Sequence, residues 1–122
     1  MSAGTQIEVF LADYRDAAQA AAVVALLDAY ARDPAGGGES LGPAVLQGLP
    51  AALAARPQAF SVLAFEGGQP VGLINCLEGF STFACKPLVN VHDVVVLASH
   101  RGRGVARKMF ALVEQEARRR GA

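Results

Sequence analysis

Residues 90–120 restrict the possible folds more than any other stretch of this chain. Asn90-Val91-His92-Asp93-Val94-Val95-Val96-Leu97 is rich in β-branched, apolar residues, which suits a buried strand. After Ala98-Ser99-His100 comes Arg101-Gly102-Arg103-Gly104. Val105, Ala106, Met109, Leu112, Val113 and Ala117 then recur at helical spacing up to Arg120. A strand feeding a helix through a turn of glycines and arginines suits an anion. The first N–H groups of a helix lack internal partners, and its dipole favours negative charge there. Glycine lets backbone approach the anion, and arginine adds charge-assisted hydrogen bonds.

The distribution of charge supports a small anionic ligand. Net charge is zero over the 122 residues. Residues 1–99 carry four Lys/Arg against nine Asp/Glu, whereas residues 100–122 carry seven against two. A basic end on a neutral whole argues against a nucleic-acid surface. Arg118-Arg119-Arg120 fit the C-terminus of a helix, where cations oppose the dipole. No apolar run approaches the roughly 18 residues of a membrane span, and no basic-then-apolar leader is present. Two cysteines, Cys76 and Cys85, make no disulfide framework, so a reduced, cytoplasmic setting is expected. Nothing near either thiol suggests activation, and no zinc-ligand spacing is present.

The rest of the chain supplies the company for that stretch. Ile7, Val9 and Leu11 alternate with polar neighbours over 6–12, which predicts a strand. Residues 16–32 predict a helix, with apolar positions at Ala20, Val23, Val24, Leu27 and Tyr30, stopped by Asp33-Pro34. Residues 35–40 read as a flexible glycine loop. A second helix is expected over 43–56, kinked or broken at Gly48 and Pro50. Strands over 60–66 and 71–80 flank Gly67-Gly68 and form a hairpin. Pro87 is expected to mark the turn before a strand over 88–97. The composition and length suit one domain over 1–122.

Arg101-Gly102-Arg103-Gly104-Val105-Ala106 fits the signature R/Q-x-x-G-x-G/A, and with it the chain resembles the GNAT superfamily of N-acetyltransferases. Val94-Val95-Val96 resembles that family's fourth strand. The resemblance implies an α/β (α+β) acyl-CoA N-acyltransferase fold, a central mixed but mainly antiparallel sheet flanked by helices. The family adds a fifth strand and more beyond the third helix. The chain is therefore expected to be a fragment covering the N-terminal two-thirds to three-quarters of that fold.

The resemblance also implies a function, an acetyl-CoA-dependent transfer of acetyl to a primary amine of a small molecule or peptide by direct attack in a ternary complex. No metal is implied. Backbone groups of Val94, Val95 and Val96 would hold the pantetheine and the acetyl carbonyl. N–H groups of Gly102, Arg103, Gly104, Val105, Ala106 and Arg107 would hold the pyrophosphate, with side-chain charge from Arg101 and Arg103. Some family members carry a glutamate base two or four residues before the position of Val94. Those positions are His92 and Asn90 here. His92 is the candidate base, because imidazole accepts a proton near neutral pH. Asp93 is either a buried acid that orients the surroundings of His92 or a partner of the loop backbone. Regular alternation places Asn90, His92, Val94 and Val96 on one face and Val91, Asp93 and Val95 on the other. Residues 79–93 weakly resemble the diamine acetyltransferase branch. The family's tyrosine acid has no counterpart, since the only tyrosines are Tyr14 and Tyr30, far upstream; Tyr30 reads as core.

Competing readings are few. Gly102-Arg103-Gly104 contains G-x-G, but Arg107 stands where a dinucleotide site needs its third glycine. No G-K-[ST] is present for a P-loop. A non-catalytic acyl-CoA-binding or regulatory module of the same fold remains the alternative to an enzyme. No membrane or nucleic-acid partner is expected, and a homodimer is left open.

Overall fold

In a computed structural model, which describes residues 6–122, four strands form one sheet between two helical layers. The order along the chain is β1 (Ile7–Leu11), α1 (Ala17–Arg32), α2 (Pro43–Ala54), β2 (Ala59–Glu66), β3 (Gln69–Ser81), β4 (Lys86–Val96) and α3 (Val105–Arg119). The spatial order is β1-β2-β3-β4. Every pairing among the described residues is antiparallel, in keeping with the mainly antiparallel sheet expected.

Each element follows local chemistry. The Asp16 carboxylate accepts from the Gln19 N–H and caps α1. Gly67 and Gly68 at φ 57° and 82° close the β2–β3 hairpin, with Glu66 opposite Gln69. Two expectations are corrected. Pro50 lies inside a continuous α2, with no break there or at Gly48. Pro87 sits within β4 opposite Phe80, and residues 82–85 make the turn. β4 borders the described sheet, so an outward-facing proline costs no ladder bond. The glycine loop expected over 35–40 overlaps a 3₁₀ turn, Pro34–Gly36. Asp33 caps that turn, and the Leu41 N–H donates to the Asp28 carboxylate at 2.7 Å.

The core lies on both faces of the sheet. On one face Phe60, Val62, Ala64, Ile74 and Cys76 pack against Val105, Met109 and Val113 of α3. On the other, Leu63, Leu73 and Val95 pack against Ala22, Val23 and Leu26 of α1. The buried stripe of α1 therefore runs through Ala22, Val23, Leu26 and Ala31, and Tyr30 turns out to be 38% exposed.

Gly72 is what lets α3 sit down. A Cβ there would lie 2.9 Å from Met109 Cε and 3.1 Å from Val105 Cγ1. Gly72 pairs with Val96, so the close approach sets the start of α3 beside the end of β4. The far end of α3 is held by charge. The Glu116 side chain, 4% exposed, accepts from Arg119 at 2.8 and 2.6 Å and from Arg120 at 2.8 Å. Arg120 also donates to Glu78 at 2.8 Å and stacks 4.7 Å over the Phe60 ring.

β4 contains one irregularity of register. Asn75 pairs with Asp93, but Cys76 pairs with Val91, so His92 is an extra residue in β4. The regular alternation expected for this strand is thereby corrected. Val91 lies opposite Cys76, on the α3 side together with Val94 and Val96, while Asp93 and Val95 lie opposite Asn75 and Leu73 on the α1 side.

Two outcomes are expected. Gly72→Val should lower stability to urea by about 2 kcal/mol, because the added methyls overpack the α3 seam. An unchanged unfolding midpoint would show that α3 has room to shift. Hydrogen bonds from Arg119, opposed by burial and reinforced by Arg120, bring the Glu116 carboxyl down from 4.5 to about 2. A carboxyl lowered by folding stabilises the fold above its unfolded value, and that contribution fades as pH falls through the folded one. Stability should therefore fall between pH 4.5 and about 2, and more steeply than in Glu116→Gln. Parallel pH curves for the two proteins would remove Glu116 as the cause.

Candidate active site

The turn after β4 is built to leave donors unpaired. Gly102 and Gly104 sit at φ 77° and 79°, a region open to glycine without strain. Gly104 is the N-cap of α3 and supplies no side chain to cap it. The helix's first backbone bond runs from the Lys108 N–H to the Gly104 carbonyl, so the N–H groups of Val105, Ala106 and Arg107 have no intrahelical partner. Those residues, with Val96, His100, Arg101, Gly102 and Gly104, line a cradle of about 260 Å³.

The arginines around this cradle divide. Arg103 donates to the Glu66 carboxylate at 3.0 Å and does not line the cradle. His100 Nε2 lies 2.7 Å from the other Glu66 oxygen, and Ser99 Oγ lies 2.8 Å from His100 Nδ1. The hydrogen bond to His100 is the main cause that holds the Glu66 carboxyl below its usual range, with burial opposing and Arg103 adding. Glu66 thus ties the turn to the end of β2. Arg107 lines the cradle and makes no ion pair among the described residues. Arg101 lines it too, and its Nε donates to the Val96 carbonyl at 3.1 Å.

That last contact reveals the edge of β4. The Leu97 N–H donates inward to Val71. Antiparallel alternation then turns the backbone groups of Val96 and Val94 away from β3. They face a second cavity of about 330 Å³, lined by Ala29, Tyr30 and Asp33 from the α1 end and by residues 94–98 and Arg101. The three valines differ in their packing. Val95 is 5% exposed in the core, Val96 packs partly against the α3 cluster, and Val94 is 39% exposed. Core packing does not account for Val94.

The extra residue in β4 brings His92 and Asp93 to a third cavity, of about 180 Å³. It is lined also by Tyr14, Leu27, Leu49, Leu53, Ser61, Asn75, Cys76 and Leu77. Beneath it runs a hydrogen-bonded chain. Asn75 Nδ2 donates to Asp93 Oδ2 at 3.1 Å, and Ser61 Oγ donates to Asn75 Oδ1 at 2.6 Å. The Ser61 proton being committed, the Tyr14 hydroxyl at 2.7 Å is the donor to Ser61 Oγ. Burial pushes the Tyr14 phenol up from its ordinary value, which keeps that proton in place. Burial likewise raises the Cys76 thiol to about 11, so it is no thiolate nucleophile near neutral pH.

The three cavities follow one another along the chain of β4 and its turn: the third at the His92 bulge, the second at Val94–Val96, and the cradle at the start of α3, which shares Val96 and Arg101 with the second. Sequence reasoning named the residues of β4 and of the turn. It missed Tyr14, Ser61, Asn75 and Glu66. A buried serine and asparagine in otherwise apolar strands were the available signal.

Comparisons with known proteins identify the fold and the family. No curated protein matches the chain. Among solved structures, an aminoglycoside acetyltransferase from an uncultured soil metagenomic sample superposes with a TM-score of 0.75 at 19% identity, covering 97% of this chain and 76% of that one. A ribosomal-protein-alanine N-acetyltransferase from Brucella melitensis biovar Abortus 2308 gives 0.74 at 20%, covering 95% and 74%. A structure described as a transcriptional regulator from Bacillus halodurans C-125 gives 0.75 at 16%, covering 96% and 77%. At these identities the likeness is one of fold. The family model for GNAT acetyltransferases matches residues 23–122, most of the chain, and the chain belongs to the GNAT acetyltransferase family.

Proposed function

We propose that this acetyltransferase uses acetyl-CoA as donor and a primary amine as acceptor, in a ternary complex. The observation that carries the reading is the uncapped N-terminus of α3, with Arg101 and Arg107 beside it and the outward edge of Val94 and Val96 leading away. A pyrophosphate needs clustered donors and positive charge, and this cradle offers both. An extended pantetheine amide needs backbone partners, and the edge of β4 offers them. Acetyl-CoA supplies an activated thioester, and the chain supplies position and proton transfer. The Val94 backbone would lie where charge develops on the carbonyl oxygen. The amine nitrogen attacks the thioester carbon, the C–N bond forms, and the C–S bond breaks with sulfur leaving as the CoA thiolate. The proton lost by the amine goes to His92, which is exposed and returns it to solvent. Asp93 holds the amine in place. Arg103 acts through Glu66, as a brace on the turn and not as a phosphate ligand.

Gly104→Asp and Gly104→Asn test the cradle. Both side chains tolerate a left-handed backbone and have the same size, so they differ in charge alone. The aspartate variant should bind acetyl-CoA about tenfold more weakly than the asparagine variant, as read by calorimetry. Equal affinities would show that no anion sits at this helix start. Glu66→Gln should weaken acetyl-CoA several-fold while leaving the melting temperature nearly unchanged, since the exposed side of the turn is what it releases. Unaltered binding would leave Glu66 with no part in shaping the cradle.

A further inference from the structure

The cavity at the His92 bulge narrows the acceptor. Its body is apolar, with Leu27 from α1, Leu49 and Leu53 from α2, and Leu77 from β3. Its polar end carries one carboxylate, Asp93, and no other acidic residue lines it. Asn75 occupies one oxygen of Asp93. The other oxygen has no hydrogen-bond partner, and the group no cationic partner, among the described residues. The chain of Tyr14, Ser61 and Asn75 aims donors in sequence toward this carboxylate. A half-buried anion facing a leucine-lined space calls for a cation with an apolar body.

Size limits that body. At about 180 Å³ the cavity is small. Drug-sized ligands need roughly 300 to 1,000 Å³. A polyhydroxylated amino sugar would extend beyond this cavity, and any hydroxyls placed in it would be left unpaired against leucine. A terminal diamine would push its second ammonium into the same leucines, where no acid answers it.

We propose that the acceptor is a small primary monoamine with a compact alkyl body, arriving as the ammonium on Asp93 with its chain among Leu27, Leu49, Leu53 and Leu77; His92 takes one proton from it to free the nitrogen lone pair, passes that proton to solvent, and takes the second as the C–N bond forms. This rests on the acetyl-transfer reading above and adds the substrate class. Release of free CoA thiol is measured with acetyl-CoA and, in turn, n-pentylamine, the matching terminal diamine, an aminoglycoside, and a peptide with N-terminal alanine. The alkyl monoamine should show the highest kcat/KM, by about tenfold, since the others must leave polar groups unpaired. Preference for any of the other three overturns the proposal while leaving acetyl transfer intact. Leu53→Trp fills the cavity, and Leu49→Trp does the same from the next turn of α2. Each should raise the KM for pentylamine about tenfold while the acetyl-CoA affinity stays put. Asp93→Asn keeps an acceptor for Asn75 but loses the charge, and should raise the same KM by a like factor. Unchanged KM in all three variants overturns the assignment. If acetyl-CoA itself fails to bind, the donor reading fails. Saturation-transfer NMR with pentylamine on the protein alone then still decides the cavity: a signal lost in Leu53→Trp supports it, and no signal in the parent chain overturns it.

Discussion

The seating of α3 on Gly72 is the constraint from which the rest follows. Val105 and Met109 come within van der Waals reach of a backbone that has no side chain to hold them off. The start of α3 is thereby brought level with Val96, the residue opposite Gly72. Raised by the width of a methyl group, the helix would present its free N–H groups away from the edge of β4. The cradle and the groove along Val94–Val96 would then no longer be continuous. A packing detail in the core thus decides whether one extended molecule can touch both. At the other end of α3, Arg120 reaches Glu78, the Pro57 carbonyl and the face of Phe60, which keeps the helix from pivoting about that contact.

Charge in this chain is partly internal business. The surplus of arginine after residue 100 reads in the sequence as a phosphate site, but it divides in the fold. Arg118, Arg119 and Arg120 face Glu114, Glu116 and Glu78, and Arg103 faces Glu66. Lys108 donates to the Ile7 carbonyl at 3.0 Å. Arg101 and Arg107 remain at the cradle. Two cations beside a row of backbone donors suit a doubly charged pyrophosphate better than a long polyanion, which needs a wider positive surface.

What was legible in the sequence was what depends on neighbours along the chain. The strand, the glycine turn and the helix of residues 90–120 were readable because period, turn chemistry and helix spacing are local properties. The β2–β3 hairpin was readable from Gly67-Gly68 for the same reason. The bulge at His92 was not. It is a mismatch of register against Asn75 and Cys76, and a single strand carries no record of its partner's register. The alternation drawn for residues 90–96 therefore failed at one residue and placed His92 and Asp93 on opposite faces. The chain from Tyr14 to Asp93 was hidden likewise, since its links span 47, 14 and 18 residues. Pro50 and Pro87 misled for a different reason. Each marks a missing donor; β4 turns that of Pro87 away from the ladder, and α2 runs on past Pro50 without the bond it would have made.

The bulge acts as a parity switch on β4. Before it, odd-numbered residues, Val89 and Val91, belong to the α3 side. After it, even-numbered residues, Val94 and Val96, do. A regular strand can offer one side only every second residue, roughly 7 Å apart. With the switch, two consecutive side groups, an imidazole and a carboxylate, reach the same cavity from a backbone locked in a ladder. The strand so combines the chemical density of a loop with the stiffness of a sheet. The same switch lets the hairpin end beyond it, from Leu88 to the exposed Phe83, change its facing by one inserted or lost residue without disturbing the edge at Val94.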